Sequence, residues 1–343
     1  MVAGSGESLR VAVAGATGYA GAGCVNLLLQ HPDVALVAVA SSSQSGHTHS
    51  AVCPGSTCDL QLVEAIDASK CDVVISACAP GDAARHASDW LRHGAVVVDV
   101  SADFRLNSAS AFAEWYGGPH PCPELLPEAV LALPELRPGP IAGARVLALP
   151  GCFSTAAILA CGPLAANQLV EPEVVVDGKT GVSGAGRSAS AEYLFTELNE
   201  SVKPYAVGGH RHQPEMEQVL SELGGGQFAV TFVPHLVPMT RGIQVTCYLR
   251  PRAGVGLDKV RALYRDQYRD QPFVCLSDVP VPSKQTSYTN MCWISLEEQG
   301  RHLVVSAVLD NLGRGASSQA IQVMNLRFGL DPRAGLGGLG QWP

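Results

Sequence analysis

The sequence predicts an α/β fold, with a Rossmann dinucleotide-binding domain followed by an α+β domain that has a mixed sheet. Three observations support this prediction. Short valine-rich runs alternate with helical patterns in the first half, a glycine-rich loop follows the first of these runs, and the second half carries longer strand patterns. A chain of 343 residues is also too long for one typical core, so we expect two domains.

The strand patterns of the first half are short and almost continuously apolar. Strands of this kind, separated by helices, form parallel βαβ units whose sheet is covered on both faces. The dipeptide His31-Pro32 ends the first helical pattern. The predicted strands are Val11–Ala14, Val34–Ala40, Asp72–Ser76 and Val96–Val100, and the helical patterns are Val25–Gln30 and Asp82–Arg92.

A proline-rich stretch from Asn107 to Arg145 separates the two halves, and we interpret it as a loop-rich connection over the surface. The second domain is predicted to begin near Cys152. We expect a last helix over Ala316–Phe328 and poor order in the glycine-rich tail Ala334–Pro343. The strand patterns of this half, which fit a mixed or antiparallel sheet, are Glu173–Asp177, Phe228–Phe232, Ile243–Leu249 and Leu303–Val308.

The composition argues against several classes of protein. The formal net charge of −8 leaves no basic field for nucleic acid, and no apolar run approaches the roughly 20 residues of a membrane span. Met1–Arg10 lacks the apolar segment of a secretory signal. The odd number of cysteines, eleven, argues against a disulfide framework and favours a reducing cytoplasm. No metal site is predicted, since Cys122, Cys152 and Cys161 are widely spaced and have few histidines near them.

A glycine-rich loop, Gly15-Ala16-Thr17-Gly18-Tyr19-Ala20-Gly21, follows the first predicted strand and opens a helix. Backbone N–H groups at such a helix start bind a dinucleotide pyrophosphate, and glycines let the backbone approach the phosphates. The spacing is GxxGxxG rather than GxGxxG, so an ordinary strand-to-helix turn is the alternative. The residues predicted here to bind the cofactor are Gly15, Thr17, Gly18, Tyr19 and Gly21.

The end of the second predicted strand distinguishes NAD from NADP. An acidic residue there would bind a free ribose 2′-hydroxyl, but this strand runs into Ser41-Ser42-Ser43-Gln44. Serine hydroxyls can donate to a 2′-phosphate, which favours NADP(H), although no arginine accompanies them. The predicted cofactor site therefore includes Ser41, Ser42 and Ser43.

Cys152 is the candidate nucleophile. It follows Pro150-Gly151 and precedes a helix-compatible run, and a helix dipole favours the thiolate at its N-terminus. The thiolate is the form that attacks a carbonyl carbon. A buried packing cysteine is the alternative interpretation.

The run His210-Arg211-His212-Gln213-Pro214-Glu215 supplies a candidate base. Pro214 fits the first turn of a helix, which places His212 just before that helix and holds its side chain. We therefore predict that His212 is the acid–base group and that His210 and Arg211 bind substrate. Both histidines can titrate near neutral pH, so equal roles for them are one alternative, and a plain surface loop is another.

Two further loops can bind an anionic substrate. Arg105 ends the run Ser101–Arg105 at the carboxyl end of a predicted parallel strand, where its guanidinium can clamp a phosphate or carboxylate. The loop from Lys179 to Ser188 offers glycine N–H groups together with the charges of Lys179 and Arg187. A solvated turn is the alternative for each loop. The substrate-binding residues predicted from the second loop are Ser183, Gly184 and Arg187.

Together these residues resemble the N-acetyl-γ-glutamyl-phosphate reductase family of arginine biosynthesis. The resemblance runs in order along nearly the whole chain. Its most specific motifs are Gly-Val-Ser-Gly-Ala-Gly-Arg, His-Arg-His-x-Pro-Glu and Pro-His-Leu-Val-Pro-Met-Thr-Arg-Gly. The matching segments are Gly15–Gly21, Ser101–Arg105, Pro150–Cys152, Gly181–Arg187, Gly208–Glu217, Pro234–Gly242, Val305–Gly315 and Asn325–Gly329.

The resemblance implies reduction of an acyl phosphate by NADPH through a thioester on Cys152, with release of phosphate and N-acetylglutamate semialdehyde. It implies an NADP-binding Rossmann domain over residues 1–151 and a catalytic and dimerisation domain over residues 152–312. A C-terminal helix over residues 313–343 is expected to return to the cofactor domain, with Gly315 near the nicotinamide. The implied partners are a small acyl phosphate and further copies of the chain, as a homodimer or homotetramer.

The chain departs from the family pattern at four places near the expected cofactor or thioester site. These departures leave two alternatives open. One is the same chemistry on a related acyl phosphate, such as aspartyl phosphate or a carrier-bound aminoadipyl phosphate, and the other is a regulatory protein that binds NADP without catalysis. The departures are Phe153 and Ser154 for Tyr and Pro, Cys78–Gly81 for Leu-Pro-His-Gly, Ser43-Gln44 for an arginine, and Cys53–Ser56 for Phe-Pro-x-Leu.

Overall fold

The computed structural model describes residues 8–337, which divide into two compact units. The first unit contains residues 8–150 and 316–337, and the second contains residues 151–315. Each unit has its own sheet.

The first unit is built on a parallel sheet. Its strands are β1 (Leu9–Ala14), β2 (Val34–Ala40), β3 (Leu62–Val63), β4 (Val73–Ser76), β5 (Val96–Asp99), β6 (Ala129–Leu131) and β7 (Val146–Ala148). Their order is β3-β2-β1-β4-β5-β7-β6, and each pairing is parallel. β4 and β5 are buried along their whole length, which confirms the inference from their continuous apolar residues. The order around β1 is that of a Rossmann sheet, as predicted.

The helices of this part of the chain are α1 (Tyr19–Leu28), α2 (His49–Val52), α3 (Asp82–Arg92) and α4 (Ala109–Tyr116). Helix α3 has the predicted bounds. Helix α1 begins directly after the glycine loop, earlier than the predicted start at Val25. Its first turns contain Gly21 and Gly23, whose low helix propensity concealed the pattern.

Helix α4 lies in the segment that the sequence analysis interpreted as loop-rich, so that interpretation was wrong for Ala109–Tyr116. Ordinary start and stop signals bound the helix: the Ser108 hydroxyl accepts the Ala111 N–H at 3.3 Å, and Gly117 takes a φ of 76° after the last turn. The prolines that follow Gly118 dominated the pattern and obscured these signals. The same segment also contributes β6 to the sheet.

The second unit has a mixed sheet, as predicted. Its strands are β8 (Val170–Thr180), β9 (Lys203–Pro204), β10 (Ala229–Leu236), β11 (Ile243–Pro251), β12 (Val274–Ser277), β13 (Cys292–Gln299) and β14 (His302–Leu309), in the order β12-β13-β14-β11-β8-β10-β9. The pairs β8–β10 and β12–β13 are parallel and the other pairs are antiparallel. The helices of this unit are α5 (Cys152–Ala166), α6 (Phe195–Leu198), α7 (Gln213–Gly224) and α8 (Leu257–Tyr268).

Helix α5 forms the centre of this unit, since nearly all of its side chains are buried against β8, β11, β14, α7 and α8. β12, β13 and α8 were not predicted from the sequence. Helix α8 buries Val260, Tyr264 and Tyr268 at every fourth position, so a helical signal was present among its charged residues.

The chain returns to the first unit at its C-terminal end. A π-helical turn at Gly313–Ser317 precedes α9 (Ser318–Phe328), which therefore begins two residues after the predicted Ala316. The expectation of poor order is wrong for residues 334–337, because the Asn325 amide donates to the Ala334 carbonyl at 2.9 Å and Leu336 is buried. Residues 338–343, the rest of that predicted tail, lie outside the described residues.

Residues 8–337 contain neither a membrane-spanning helix nor a cluster of metal ligands. None of the helices there combines the length and the apolar composition that a bilayer crossing requires. No three His, Cys, Asp or Glu side chains in this range are grouped as metal ligands would be.

Candidate active site

Cys152 is the first residue of α5, which confirms its predicted position at a helix N-terminus. Gly151 precedes the helix in an extended conformation, with φ of −60° and ψ of 158°. The positive end of the dipole of a 15-residue helix therefore lies at Cys152, where it stabilises an anion. This environment suits a sulfur that must act as a nucleophile.

Gly315 lies directly against the nucleophile. A Cβ atom added at Gly315 would stand 2.5 Å from the Cys152 Cβ, so only glycine fits at this position. The Gly315 N–H donates to the Asp310 carbonyl at 2.9 Å, which fixes the turn. The backbone therefore passes close to Cys152, and the predicted contact of Gly315 with the cofactor stays a prediction.

The imidazole of His212 lies on Gly151, the residue before the nucleophile. A Cβ atom added at Gly151 would overlap with the His212 ring, with Nε2 as its nearest atom. His212 is the residue just before α7, whose first turn contains Pro214, as predicted. The Ser154 hydroxyl donates to the His212 carbonyl at 3.2 Å, which ties the start of α5 to the start of α7.

Glu215, in the first turn of α7, makes a second link between the starts of α5 and α7. Its carboxylate is fully buried, and Oε2 accepts the Gly151 N–H at 2.8 Å. Glu215 stands in the motif around His212, but no role was predicted for it from the sequence. The signal was its spacing of three residues from His212, which places Glu215 in the first turn of α7, the helix that His212 directly precedes.

His210 is set among aromatic rings. Its ring meets those of Phe232 and His212 edge to face, with centroid distances of 5.2 Å and 4.7 Å. Its Nδ1 accepts the His212 N–H at 3.1 Å, which holds the two histidines in one arrangement.

This burial changes the protonation of His210. Burial, with a smaller contribution from the charge of Arg211, lowers the pKa of His210 to about 4. His210 is therefore neutral at neutral pH. The interpretation that both histidines titrate near neutral pH was wrong for His210, because the sequence did not reveal that its ring is half-buried among aromatic rings.

Phe153 packs against both histidines. Its ring packs edge to face against His210 and His212, each at a centroid distance of 6.1 Å, and against Phe232 at 5.1 Å. A Cβ atom at Gly178 would stand 2.6 Å from the Phe153 ring, so β8 approaches this ring closely. Phe153, which replaces the tyrosine of the family pattern, is thus a packing residue against the two histidines.

The loop after β8 holds the predicted anion-binding residues Ser183 and Gly184 in a 3₁₀ turn, Val182–Ala185. The Asn311 amide donates to the Ser183 hydroxyl at 3.0 Å and accepts the Gly242 N–H at 2.8 Å, so Ser183 belongs to a buried network. Gly184 is exposed.

The predicted cationic residues of the second unit differ in their surroundings. Arg187 and Arg211 are exposed. Lys179 forms an ion pair with Asp177 at 2.6 Å, which corrects the view of Lys179 as a charge available to an anion. The substrate roles of Ser183, Gly184, Arg187, His210 and Arg211 stay predictions.

Asp310 is a structural residue of the site that the sequence analysis missed. Its fully buried carboxylate accepts the N–H groups of Leu312 at 2.9 Å and Gly313 at 3.1 Å. The Arg241 Nε lies 3.3 Å from the same carboxylate. Asp310 therefore holds the turn that carries Gly315, and the run Asp-Asn-Leu-Gly was the local turn signal.

The glycine loop of the first unit has the geometry of a phosphate cradle. Gly15 takes a φ of 72°, and a Cβ atom there would stand 2.5 Å from the Ala77 carbonyl oxygen. A Cβ atom at Gly21 would overlap with the Gly15 carbonyl. Gly18 precedes the first turn of α1, so the helix start carries no side chain where a pyrophosphate would approach. These residues fit a dinucleotide.

The predicted serines lie beside this loop. The hydroxyls of Thr17 and Ser41 are 3.0 Å apart, which brings two predicted cofactor residues together. Ser42 and Ser43 are exposed, as is Tyr19 at the first position of α1. Hydroxyl groups therefore lie at the end of β2, and none of the residues 41–44 that follow this strand carries a carboxylate.

Arg105 is buried in the loop that follows β5. Its Nη2 donates to the Val100 carbonyl at 3.0 Å, so the side chain folds back on its own loop. The Asp103 carboxylate nearby accepts the N–H groups of Gly81 at 2.6 Å and Ala84 at 2.9 Å, at the start of α3. The role of Arg105 as a substrate clamp stays a prediction.

Asp99 is the last residue of β5, just before the loop that contains Arg105, and is fully buried. Burial, and to a lesser degree the charge of Asp103, raises the pKa of Asp99 to about 6. Its carboxylate accepts the Ser101 N–H at 2.9 Å and the Ser101 hydroxyl at 2.6 Å.

Comparison with known proteins gives two family matches that together cover most of the chain. The profile described as "Semialdehyde dehydrogenase, NAD binding domain" matches residues 10–144, and "Semialdehyde dehydrogenase, dimerisation domain" matches residues 152–311. Among solved structures, aspartate semialdehyde dehydrogenase II of Vibrio cholerae, complexed with ASA, has a TM-score of 0.72 at 18% identity. That match covers 94% of this chain and 98% of the other. Aspartate semialdehyde dehydrogenase with NADP from Candida albicans has a TM-score of 0.71 at 15% identity, over 93% and 98% of the two chains.

Curated relatives are more similar in sequence. N-acetyl-gamma-glutamyl-phosphate reductase of Dehalococcoides mccartyi is 41% identical over 341 residues, which cover 98% of this chain and 100% of the relative. The protein of the same name from Desulforudis audaxviator is 43% identical over 347 residues, with the same coverage of each chain. The chain therefore belongs to the semialdehyde dehydrogenase family and, within it, to the N-acetyl-γ-glutamyl-phosphate reductases.

Proposed function

We propose that this chain reduces N-acetyl-γ-glutamyl phosphate to N-acetylglutamate semialdehyde, with NADPH as the reductant and release of phosphate. The observation that carries the proposal is the joint placement of Cys152 at the start of α5 and of the His212 imidazole on Gly151. Relatives of that name, which align with 98% of this chain, support the choice of substrate.

In the first half of the reaction, His212 takes the proton of the Cys152 thiol. The thiolate attacks the acyl carbon, and a carbon–sulfur bond forms while the bond from carbon to the phosphate oxygen breaks. Phosphate leaves with that electron pair and receives the proton from His212. The product of this half is a thioester on Cys152.

In the second half, NADPH, when bound, supplies the hydride that reduces the thioester carbon. The resulting tetrahedral oxyanion collapses, its carbon–sulfur bond breaks, and the semialdehyde leaves. Cys152 is released as a thiolate and regains a proton from solvent, which accounts for the one proton that the whole reaction consumes. The dipole of α5 stabilises the thiolate at the start and at the end.

Other side chains hold these groups in place. Glu215 accepts the Gly151 N–H and so fixes the position of Gly151. Gly151 precedes Cys152 and packs against the His212 ring, so its position sets the placement of both groups. His210 stays neutral and, in this proposal, binds the substrate together with Arg105, Arg211, Ser183, Gly184 and Arg187. The first unit binds NADP(H) through Gly15, Thr17, Gly18, Tyr19 and Gly21, with Ser41, Ser42 and Ser43 at the 2′-phosphate. Gly315, which lies against Cys152, is proposed as a further cofactor-binding residue.

The reverse reaction tests the substrate assignment. With inorganic phosphate and NADP⁺, we expect the enzyme to oxidise N-acetylglutamate semialdehyde with a higher kcat/KM than aspartate semialdehyde or an N-acylated aminoadipate semialdehyde. A higher kcat/KM with either competitor would assign the chain to that acyl group. No NADPH formation with any of the three would contradict a catalytic role and favour a binding protein.

Cofactor preference is a separate prediction. We expect kcat/KM to be higher with NADPH than with NADH, because Ser41, Ser42 and Ser43 offer hydroxyls to a 2′-phosphate and no carboxylate to a ribose hydroxyl. The missing arginine should keep the ratio modest. Measuring kcat/KM with both cofactors checks this, and a preference for NADH would show that these serines do not form a 2′-phosphate site.

We also propose that the chain assembles as a homodimer or homotetramer and acts in the cytoplasm. The match of residues 152–311 to a dimerisation domain supports the assembly. Sedimentation equilibrium at several protein concentrations would distinguish a dimer from a tetramer.

A further inference from the structure

His49 is a fully buried polar side chain under the glycine loop. It is the first residue of the short helix α2, and its exposed fraction is 0%. Both ring nitrogens have partners: Nε2 lies 3.0 Å from the Ala16 carbonyl oxygen, and Nδ1 lies 2.9 Å from the Ser56 hydroxyl. A ring this deeply buried, with both nitrogens satisfied, is fixed in one orientation.

The partners also determine where the hydrogens lie. The Ala16 carbonyl can only accept, so Nε2 carries a hydrogen and donates it. The Ser56 oxygen accepts the Cys58 N–H at 3.3 Å, and its own hydrogen can donate to Nδ1. With a hydrogen on Nε2, each group in this chain of hydrogen bonds has a partner.

The bond to Ala16 sets the orientation of a peptide group in the cofactor loop. In a planar trans peptide the carbonyl and the following N–H point in opposite directions. Because His49 binds the Ala16 carbonyl, it also fixes the Thr17 N–H of the same peptide group. This peptide leads into α1, and the start of such a helix is where a dinucleotide pyrophosphate binds.

A restraint on this peptide matters because the glycines of the loop allow many backbone conformations. Gly15 and Gly18 flank the Ala16–Thr17 peptide, and glycine allows a wide range of backbone angles. The Ala16 N–H donates to the Ala40 carbonyl at 2.9 Å, which holds the near side of Ala16. His49 binds the Ala16 carbonyl, which belongs to the next peptide group, the one that leads into α1.

We propose that His49 is a positioning residue for the cofactor: its Nε2–H holds the Ala16–Thr17 peptide in the orientation that receives the pyrophosphate of NADPH. The proposal rests on the proposed function only in taking NADPH as the ligand. His49 does not touch the reacting atoms, so it acts on cofactor affinity and not on the chemical step.

Two substitutions separate the contacts of the two ring nitrogens. The amide nitrogen of glutamine occupies nearly the position of Nε2 and can donate to Ala16, whereas asparagine reaches only as far as Nδ1. His49→Gln should therefore bind NADPH within about threefold of wild type, and His49→Asn should raise the Kd about tenfold or more, since it leaves the Ala16 carbonyl without its donor. The Kd is measured by the fluorescence of bound NADPH, with the melting temperature recorded for each variant.

His31→Asn is the matched control. His31 is also buried in the first unit, with Nε2 3.0 Å from the Asn325 amide oxygen and Nδ1 accepting the Asp33 N–H at 3.1 Å. Its replacement should lower the melting temperature without changing the Kd of NADPH. At saturating NADPH, kcat of His49→Asn should remain within about threefold of wild type while the KM for NADPH rises.

The proposal is overturned if His49→Asn lowers the melting temperature as His31→Asn does but binds NADPH like wild type. It is also overturned if His49→Gln binds NADPH as weakly as His49→Asn. If His49→Asn does not fold, the comparison of His49→Gln with wild type still decides, since a tenfold weaker Kd in the folded glutamine variant contradicts the proposal. Failure of the wild-type protein to bind NADPH would contradict the proposed function instead.

Discussion

Replacing Cys152 with serine should lower turnover by several orders of magnitude, while the protein stays folded and binds NADPH. A serine hydroxyl at its ordinary pKa is a far weaker nucleophile than a thiolate, and the dipole of α5 cannot compensate for that difference. The rate of the reverse reaction, measured with purified Cys152→Ser, checks this prediction.

Cys161→Ser is the matched control, because Cys161 lies in the same helix. Its thiol is fully buried, and a hydrogen bond with Cys247 together with burial raises its pKa well above the ordinary range. We expect this variant to lose some stability and to keep its kcat. A Cys152→Ser enzyme that retained a tenth of wild-type activity would contradict the thioester mechanism.

The second large effect is expected at His212. His212→Asn should lower kcat/KM by roughly 10²–10⁴-fold and should remove the limb of the pH profile that belongs to the base. The reason is position: the His212 ring lies on Gly151, next to the nucleophile, and α7 and Ser154 hold its backbone. A pH profile of kcat/KM for wild type and variant measures both effects.

His210→Asn is the comparison that makes the assignment testable. Burial disfavours the charged imidazolium, so the pKa of His210 is lowered to about 4 and its titration lies below the range in which the base must act. Its replacement should therefore keep the neutral limb of the profile and affect mainly the KM for substrate. If the limb disappeared in His210→Asn and survived in His212→Asn, the roles of the two histidines would have to be exchanged.

The sequence predicted those features that depend on local signals. Valine-rich runs separated by helices specified the parallel sheet, and a proline at the second position of α7 placed His212 just before that helix. The turn Pro150-Gly151 placed Cys152 at the start of α5. Each of these signals lies within a few residues of the feature that it predicts, so no knowledge of the fold was needed.

The contacts that the sequence could not predict join residues far apart in the chain. Glu215 and Gly151 are 64 residues apart, and His49 and Ala16 are 33 residues apart. No local pattern marks His49, since it stands among polar residues in a loop-like segment. The half-buried environment of the His210 ring likewise depends on Phe232, which lies on a strand distant in sequence.

Trapping of the acyl-enzyme tests the central claim most directly. Wild-type enzyme mixed with freshly prepared N-acetyl-γ-glutamyl phosphate in the absence of NADPH, quenched with acid and digested, is analysed for released phosphate and for the mass of each cysteine-containing peptide. We predict a burst of phosphate equal to the number of active sites and an N-acetylglutamyl group on the Cys152 peptide, both absent in Cys152→Ser. Phosphate released only after NADPH is added, or an acyl group on another residue, would contradict the mechanism.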